Sequence, residues 1–309
     1  MAKISGRKRG RIASRLAAAA VTAALVGTGA SAFAADNPSA KAFKAPAAKP
    51  AKGALAKAQA SDVGDAPVFG LYGIDKSGGV YSYAPDGNGG LESRTPVDTG
   101  WDGIKTVNQV DQDADSLPDG VWEGDYNGNL YYAKNDGSAP FKIGGGWNTY
   151  NTLLSPGNLG GAGAGDLLGR DGSGNLYLYL SYGDGKMTSR YLVGGGWGQY
   201  TQLAGNGDLT GDGKADIVAR GGDGTLWLYK GTGNYKAPFE GRTKIGGGWN
   251  TYNAIFAPGD IDLDGKADLI GRDAAGALYL YKGTGNAAAP YQGRVKIGTS
   301  GWNTYRLFF

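Results

Sequence analysis

Aspartates recur at alternating positions in three segments of this 309-residue sequence. Each segment reads D-x-[DT]-x-D-[GS]-x-x-D, a spacing that lets a curling loop aim several oxygen atoms at one hard cation. Calcium prefers six to eight such oxygens in a flexible geometry. We therefore expect about three structural Ca²⁺ sites, with the main-chain carbonyl supplied at position 7. The expected ligands are Asp111, Asp113, Asp115, Leu117 and Asp119; Asp208, Thr210, Asp212, Lys214 and Asp216; and Asp260, Asp262, Asp264, Lys266 and Asp268.

Two alternatives to this calcium hypothesis were weighed. An EF-hand is excluded because no glutamate stands at position 12 and strand patterns, not helical ones, flank the loops. Ordinary Asp/Gly turns remain the simpler alternative. Three acidic loops at the same position of the repeat nevertheless favour cation binding. A fourth segment, 158–166, keeps the final Asp166 but has lost the central carboxylates, so we expect no strong site there. Thr210 should make the site at Asp208 weaker than the site at Asp260.

The elements that must position these loops belong to a cassette of about 50 residues that ends in Gly-Trp. Its tryptophans are separated by 46, 50, 52 and 53 residues, and lie at Trp101, Trp147, Trp197, Trp249 and Trp302. A period of this length filled with short alternating strands is typical of propeller blades. We predict an all-β fold, a five-bladed β-propeller of four-stranded blades.

Strand positions follow from two-residue periodicity in the last cassette. The first cassette begins at its second strand, near Phe69–Asp75, and the C-terminal segment resembles the missing first strand. We therefore predict that Tyr305–Phe309 closes the ring and protects its edges. The four strands predicted in the last cassette are Tyr252–Ala257, Ala267–Arg272, Ala277–Lys282 and Arg294–Ile297.

The N-terminal part of the chain has the composition of a secretory signal followed by a tether. Six basic residues precede an apolar stretch and an Ala-x-Ala cleavage pattern at Ala32–Ala34, so residues 1–34 are predicted to be a signal peptide. Residues 35–65 are rich in Ala, Lys and Pro and are predicted to be a flexible linker, with lysine adhesion to a cell wall as the alternative. The propeller is assigned to residues 66–309, and the protein is expected to be secreted.

Charge and composition exclude several functions. The leader and linker hold 11 of the 31 basic residues but three of the 28 acidic ones, so the propeller is mildly acidic and no nucleic-acid partner is expected. We expect neither a membrane span nor an oligomer. Histidine and cysteine are absent, which removes Ser-His-Asp and Cys-His catalysis. The three glutamates, Glu92, Glu123 and Glu240, form no recognisable catalytic pair, and we expect no enzyme activity.

The acidic loops, each followed by a strand, resemble the FG-GAP/VCBS repeats of integrin-like propellers, whose loops bind calcium. The Gly-Trp-Asn-Thr-Tyr segments at 146–150, 248–252 and 301–305 look like tachylectin repeats. That resemblance implies a five-bladed propeller binding N-acetylated sugars between its blades. It is confined to the corners, the blade length and the terminus, and the acidic loops are no part of it.

The Gly-Trp corners are the candidate ligand-binding residues. An indole face can stack on a sugar while a neighbouring Asn or Asp orients its hydroxyl or acetamido groups. The alternative is that each Trp packs between sheets, and the corner at Trp197-Gly198, without a polar neighbour, should bind most weakly. The candidates are Trp101, Asp102, Trp147, Asn148, Trp249, Asn250, Trp302 and Asn303.

Three functions stay open at this point. The first is a secreted, calcium-stabilised module that recognises carbohydrate or a cell-surface polymer through several weak sites. The second is a structural or protein-interaction propeller without sugar binding. The third, a carboxylate-based glycoside hydrolase or lyase, is the least favoured because it would need non-repeated acidic residues.

Overall fold

A computed structural model describes residues 66–309. The predicted signal peptide and linker lie outside the described residues and remain predictions. Within 66–309, strands are short and separated by tight turns. No helix of this part is long and apolar enough to cross a membrane.

Twenty strands alternate with turns along residues 66–309. Four of the five Gly-Trp corners form a single 3₁₀ turn: Trp147–Thr149, Trp197–Gln199, Trp249–Thr251 and Trp302–Thr304. The strands are β1 (Leu71–Asp75), β2 (Val80–Tyr83), β3 (Thr95–Asp98), β4 (Ile104–Val110), β5 (Gly120–Asp125), β6 (Leu130–Lys134), β7 (Phe141–Gly144), β8 (Tyr150–Gly157), β9 (Asp166–Asp171), β10 (Leu176–Tyr179), β11 (Tyr191–Gly194), β12 (Tyr200–Ala204), β13 (Ile217–Gly221), β14 (Leu226–Tyr229), β15 (Thr243–Gly246), β16 (Tyr252–Gly259), β17 (Asp268–Asp273), β18 (Leu278–Tyr281), β19 (Val295–Gly298) and β20 (Tyr305–Phe308).

These strands form five antiparallel four-stranded sheets, which confirms the predicted five-bladed propeller. Blade 1 has the order β20-β1-β2-β3, and blades 2 to 5 are β4–β7, β8–β11, β12–β15 and β16–β19. The first strands of adjacent blades contact one another, β4 with β8, β8 with β12 and β12 with β16. The first strand of each blade is therefore the innermost, and the fourth is the outer edge.

The C-terminal strand completes blade 1 as predicted. In the β20–β1 pair, Gly73 lies opposite Phe308 and Ile74 opposite Leu307. Tyr72 and Phe309 exchange two main-chain hydrogen bonds, of 2.8 and 3.1 Å, and their rings stack at 5.1 Å. A Cβ on Gly73 would lie 2.6 Å from the ring of Tyr305, so this seam needs a glycine. The first and last strands of the described chain thus close the ring.

The predicted strand limits in blade 5 agree with the structure to within two residues. The first strand is longer than predicted because its end pairs with two partners, Asp268 and the N-terminal segment at Val68. Asp260 also donates its amide N–H to the carbonyl of Pro67. The segment at Pro67 and Val68 therefore extends the inner edge of blade 5, which is far from it in sequence. Strand periodicity cannot reveal such a contact.

Each of the five Gly-Trp corners locks one blade to the preceding one. The tryptophan amide donates to the carbonyl of a left-handed glycine in the tight turn between the second and third strands of the preceding blade. The N···O distances are 2.9–3.2 Å. The pairs are Trp101 with Gly78, Trp147 with Gly128, Trp197 with Gly174, Trp249 with Gly224, and Trp302 with Gly276.

A cation reinforces each corner, buried in two of the corners and partly buried in the other three. Arg220 on β13 donates from Nη1 to the carbonyl oxygens of Trp249 (3.3 Å) and Tyr252 (2.5 Å) in the next blade. Arg170 and Arg272 make the same pair of contacts from blades 3 and 5. Blades 1 and 2 use cations from their first strands, as Arg306 donates to Trp101 and Lys105 to Tyr150. We call each Gly-Trp corner with its glycine turn and cation a corner lock.

The hydrophobic core is divided among the seams between blades. Five buried clusters each contain side chains from two neighbouring blades. In the cluster between blades 3 and 4, for example, Leu176 and Leu178 pack with Ile217 and Ala219 around Trp197. Because apolar burial is the main driving force for folding, the blades depend on their neighbours for stability.

Candidate functional site: acidic loops and a cavity between blades

The acidic loops lie at one end of the ring, where each joins the first strand of a blade to its second. Together with Ala66–Phe69 they line a central cavity of about 720 Å³. Asp111 and Asp208 belong to its wall, as do Asn158 and Gly265. Repetition of the blades therefore brings loops that are 50 residues apart in sequence to a common opening.

The loop of blade 5 brings three carboxylates together. Asp260, Asp262 and Asp268 each offer an oxygen within 4.8 Å of the others, and all three side chains are buried. The amides of Asp264 (3.1 Å) and Gly265 (2.7 Å) donate to Asp260. Oδ1 of Asp262 is buried without a hydrogen-bond partner.

The electrostatics of this cluster are unfavourable without a further cation. Burial, with neighbouring carboxylates adding to it, raises the pKa of Asp260 to about 6 and that of Asp268 to about 8. Lys282 lies 2.7 Å from Asp262 and supplies one positive charge to three carboxylates. The unpartnered oxygen and the all-oxygen donor set therefore fit a hard divalent cation such as Ca²⁺.

The loop of blade 2 forms a second cluster that is more open to solvent. Asp111, Asp113 and Asp115 offer oxygens within 4.8 Å of one another. Asp111 accepts hydrogen bonds from three loop amides, and left-handed backbone at Ala114 and Ser116 produces the curl. Asp119 lies outside this group of three, and the main-chain N–H of Gln112 donates to it at 2.6 Å. The position-7 residue, Leu117, donates its amide to Asp115.

The loop of blade 4 keeps the pattern without gathering its carboxylates into a described cluster. Asp208 accepts from the amides of Thr210, Gly211 and Gly213 at 2.6–2.8 Å. Asp212 pairs with Lys230 at 3.4 Å. That the site at Asp208 is weaker than the site at Asp260 stays a prediction.

The aspartate at position 9 has a bracing role that the sequence did not reveal. Asp166, Asp216 and Asp268 each accept hydrogen bonds from amides of their own loop, two for Asp166 and one for each of the others, and one from the residue two beyond the end of the third strand. For Asp268 these donors are Ile261 (2.9 Å) and Gly283 (2.7 Å). Asp166 makes the equivalent contacts although its loop has lost the other carboxylates. These hydrogen bonds therefore account for the aspartate at position 9, whether or not a metal ion binds to the loop.

The candidate Trp and Asn residues lie in the seams, and much of their surface is used in packing. Trp101, Trp197 and Trp249 are buried, while Trp147 and Trp302 are partly buried. The Trp249 ring lies 4.6 Å from that of Tyr281. The Asn250 and Asn303 amides donate to carbonyls in the adjacent turn. Asn148 and Asp102 are exposed at the equivalent position.

A second cavity, of about 390 Å³, opens between blades 3 and 4 beside Trp197. Its aromatic wall consists of Trp197, Tyr229 and Phe239, with Trp197 4.5 Å from Tyr229 and 5.8 Å from Phe239. Gln199, Lys236 and Glu240 provide polar groups, and the main chain of 194–196 completes the lining. The sequence predicts the weakest pocket at this corner because Gly198 follows Trp197; Gln199 and the distant loop carrying Glu240 nevertheless bring polar groups to it.

A tyrosine–tyrosine–arginine group beside this cavity was also missed. The hydroxyls of Tyr200 and Tyr229 lie 2.6 Å apart, and Arg242 donates to Tyr200 and to Gln199. The Arg242 guanidinium also lies over the Trp227 ring at 4.1 Å. Tyrosine pairs with the same hydroxyl contact occur in blades 1, 3 and 5. The available signal in the sequence was an Arg directly before the fourth strand in four of the five blades.

Blade 2 departs from this arrangement at Glu123. Ile104 and Ala133 replace the two tyrosines, and Glu123 takes a position that is Gly or Ala in the other blades. The Glu123 side chain is fully buried and neither carboxylate oxygen has a hydrogen-bond partner. Burial, together with the charges of Asp125 and Asp98, raises its pKa to about 8. Glu123 is therefore mostly protonated at neutral pH.

Comparisons with known proteins bear on the loops and on the fold. Residues 208–271 match the model of the FG-GAP-like repeat, a segment containing the acidic loops of blades 4 and 5. No curated protein sequence matches the chain. The structure is a five-bladed β-propeller, and its residues 208–271 are similar to FG-GAP-like repeats.

Several solved structures are similar to this chain. The BP39L lectin from Burkholderia pseudomallei is 14% identical with a TM-score of 0.46, over 74% of this chain and 69% of the lectin. A triple arginine-to-alanine mutant of AofleA from Arthrobotrys oligospora is 11% identical with a TM-score of 0.46, over 76% and 72%. A protein of unknown function from Bacteroides caccae is 12% identical with a TM-score of 0.36, over 74% and 72%.

Buried Glu123 should make the free energy of unfolding fall as the pH rises. Its folded pKa exceeds the unfolded value, so its proton favours the folded state and stability falls as pH rises from about 4.5 to about 8. Glu123→Gln removes this dependence. Urea unfolding should show the variant gaining about 3 kcal/mol relative to wild type between pH 5 and pH 8. Glu92→Gln, at an exposed glutamate, is the control and should show no such gain. Parallel pH profiles for wild type and Glu123→Gln would contradict the assignment.

Proposed function

We propose that this protein is a secreted, calcium-stabilised binding module that recognises carbohydrate or a cell-surface polymer at cavities between its blades. The observation that carries the proposal is the cavity beside Trp197, where aromatic rings and convergent polar groups from two blades meet. Small-molecule sites in proteins are typically concave, about 300–1,000 Å³ in volume, and lined by apolar surface with a few placed polar groups.

The chemistry of this cavity suits a sugar. Trp197 and Phe239 offer apolar surface for the C–H face of a ring, and their polar neighbours Gln199 and Glu240 can hydrogen-bond hydroxyl or acetamido groups. Lys236 adds a cation at the same rim. Because Trp197 is mostly buried in its seam, contact with a ligand is limited to the part of the indole that faces the cavity.

Because the Gly-Trp corner is repeated, the propeller can hold more than one ligand-binding site. Each seam contains a Gly-Trp corner, and blades 3 and 5 carry the same tyrosine and arginine contacts as blade 4. Weak sites arranged around one ring would bind a repetitive polymer by avidity, since each further contact is intramolecular after the first.

Calcium is proposed to stabilise this scaffold and to take no direct part in ligand binding. The two carboxylate clusters lie in the loops joining first and second strands, whereas the Trp197 cavity is lined by a corner and by the loop ahead of β15. The described chain contains no cysteine that could brace it otherwise. An ion that binds the folded state alone stabilises it by mass action.

A protein-interaction propeller is the second candidate. Tyr126 and Tyr182 are 60% and 66% exposed, which is unusual for aromatic side chains and typical of surfaces that contact other proteins. Within residues 66–309, the three glutamates lie in different surroundings, since Glu123 is enclosed within a seam, Glu92 is exposed and Glu240 lies at the cavity rim.

Calcium removal should destabilise the protein. At a calcium concentration 100-fold above the dissociation constant, each site contributes about 3 kcal/mol, so a chelator should lower the melting temperature. Asp260→Asn should lower the calcium count in native mass spectrometry by one. Asp208→Asn is the matched variant at the weaker loop and should have less effect on stability. Identical melting curves with and without chelator, and no calcium in the native mass, would contradict this proposal.

Sugar binding should depend on the cavity beside Trp197. A glycan array identifies the sugar, and calorimetry with N-acetylglucosamine and its soluble oligomers measures the affinity. Glu240→Ala should weaken binding about tenfold through loss of one charge-assisted hydrogen bond. Glu92→Ala is the matched control, because Glu92 and Glu240 make the same main-chain contact in blades 1 and 4. No glycan signal together with a co-purifying protein partner would favour the second candidate.

A further inference from the structure

The outer strands of the five blades share one position that is occupied in most blades by a residue able to prevent edge-to-edge pairing. We call the residue at this position the guard residue. In each blade, this residue lies opposite an aromatic residue of the third strand. Four of the five are lysine or proline, and β11 is the exception. The pairs are Pro96 with Tyr81, Lys142 with Tyr131, Leu192 with Tyr177, Lys244 with Trp227, and Lys296 with Tyr279.

Lysine and proline at such positions oppose the pairing of one sheet edge with another. An outer strand presents unpaired main-chain N–H and C=O groups, and proteins discourage their association with a charge or a proline. Pro96, Lys142, Lys244 and Lys296 are all exposed. At Leu192 this protection is missing, and the leucine side chain is 63% exposed.

The whole of β11 is uncharged and partly apolar. Tyr191 is exposed on one side, where its ring packs 4.8 Å from that of Tyr235 in blade 4. Val193 is partly buried in the seam between blades 3 and 4. Arg190, which precedes the strand, is held on its own blade by the Tyr150 hydroxyl (3.2 Å) and over the Tyr177 ring (4.4 Å). No residue of β11 itself is charged, and the nearby Lys236 and Glu240 belong to the cavity that Val193 and Gly194 also line.

We propose that β11 pairs with β11 of a second copy of this chain across a two-fold axis, forming an antiparallel eight-stranded sheet. The other four edges are poor partners because each would place lysine or proline against Leu192. The β11 of another copy is an unguarded edge of equal length. A two-fold axis through residue 192, perpendicular to the sheet, places Leu192 opposite Leu192 of the partner subunit, and the contact is self-complementary and closed.

The proposed dimer differs from the monomer expected from the sequence, and it does not depend on sugar binding. A four-residue strand buries little area compared with stable interfaces, so the association is weak and concentration-dependent. Val193 and Gly194 of β11 also line the cavity beside Trp197. Pairing would therefore bring the two copies of this cavity to the same side of the assembly.

Sedimentation velocity of the purified protein across a concentration series tests the proposal. Wild type should shift from monomer to dimer, with no larger species. Leu192→Lys restores the guard residue that three sister strands tolerate, so the variant should fold normally. It should raise the dimer dissociation constant by more than about tenfold, because two lysines would approach across the axis.

The control is Tyr126→Ser, which removes an equally exposed aromatic side chain from the turn between β5 and β6. Its monomer–dimer equilibrium should match that of wild type. A wild-type protein that stays monomeric at millimolar concentration would overturn the proposal. So would a dimer that persists unchanged in Leu192→Lys, or one that is lost in Tyr126→Ser.

Discussion

The corner lock is the interaction on which the rest of this propeller depends. Each lock joins two blades through a tryptophan amide, a left-handed glycine and a cation that donates to main-chain carbonyls, as Arg220 does to Trp249 and Tyr252. Buried carbonyl groups need donors, and a charged donor makes the stronger hydrogen bond. In a chain without cysteine, these contacts and the apolar clusters around them hold the ring together.

The candidate sites follow from this lock. At one end of the ring, the locks align the innermost strands, so the acidic loops surround a common opening and those of blades 2 and 5 gather three carboxylates each. Between blades 3 and 4, the lock at Trp197 sets the separation of the sheets and leaves a cavity at the rim. The Trp197 side chain is mostly buried in its seam. Only the remaining part of its surface can therefore contact a ligand.

Much of the fold could be predicted because it repeats. The Gly-Trp period predicted five blades, and the similarity of Tyr305–Phe309 to other first strands predicted ring closure. Features that depend on contacts between distant segments could not be predicted, such as the pairing of Val68 with Gly259 and the bracing role of Asp268. The burial of Glu123 could not be predicted from the sequence either. It results from the replacement, in blade 2, of the tyrosines of the other blades by Ile104 and Ala133.

The most direct test of this account is hydrogen exchange at the five corner tryptophan amides in Arg220→Ala. Removing this guanidinium takes one donor from the Trp249 carbonyl, which keeps the Tyr252 N–H, and one from the Tyr252 carbonyl, at a cost of about 2 kcal/mol. The account predicts that Trp249 loses about 30-fold in protection, while Trp197, locked by Arg170, keeps its protection. Unchanged exchange at Trp249, or an equal loss at all five corners, would contradict the corner lock as the contact that holds individual seams.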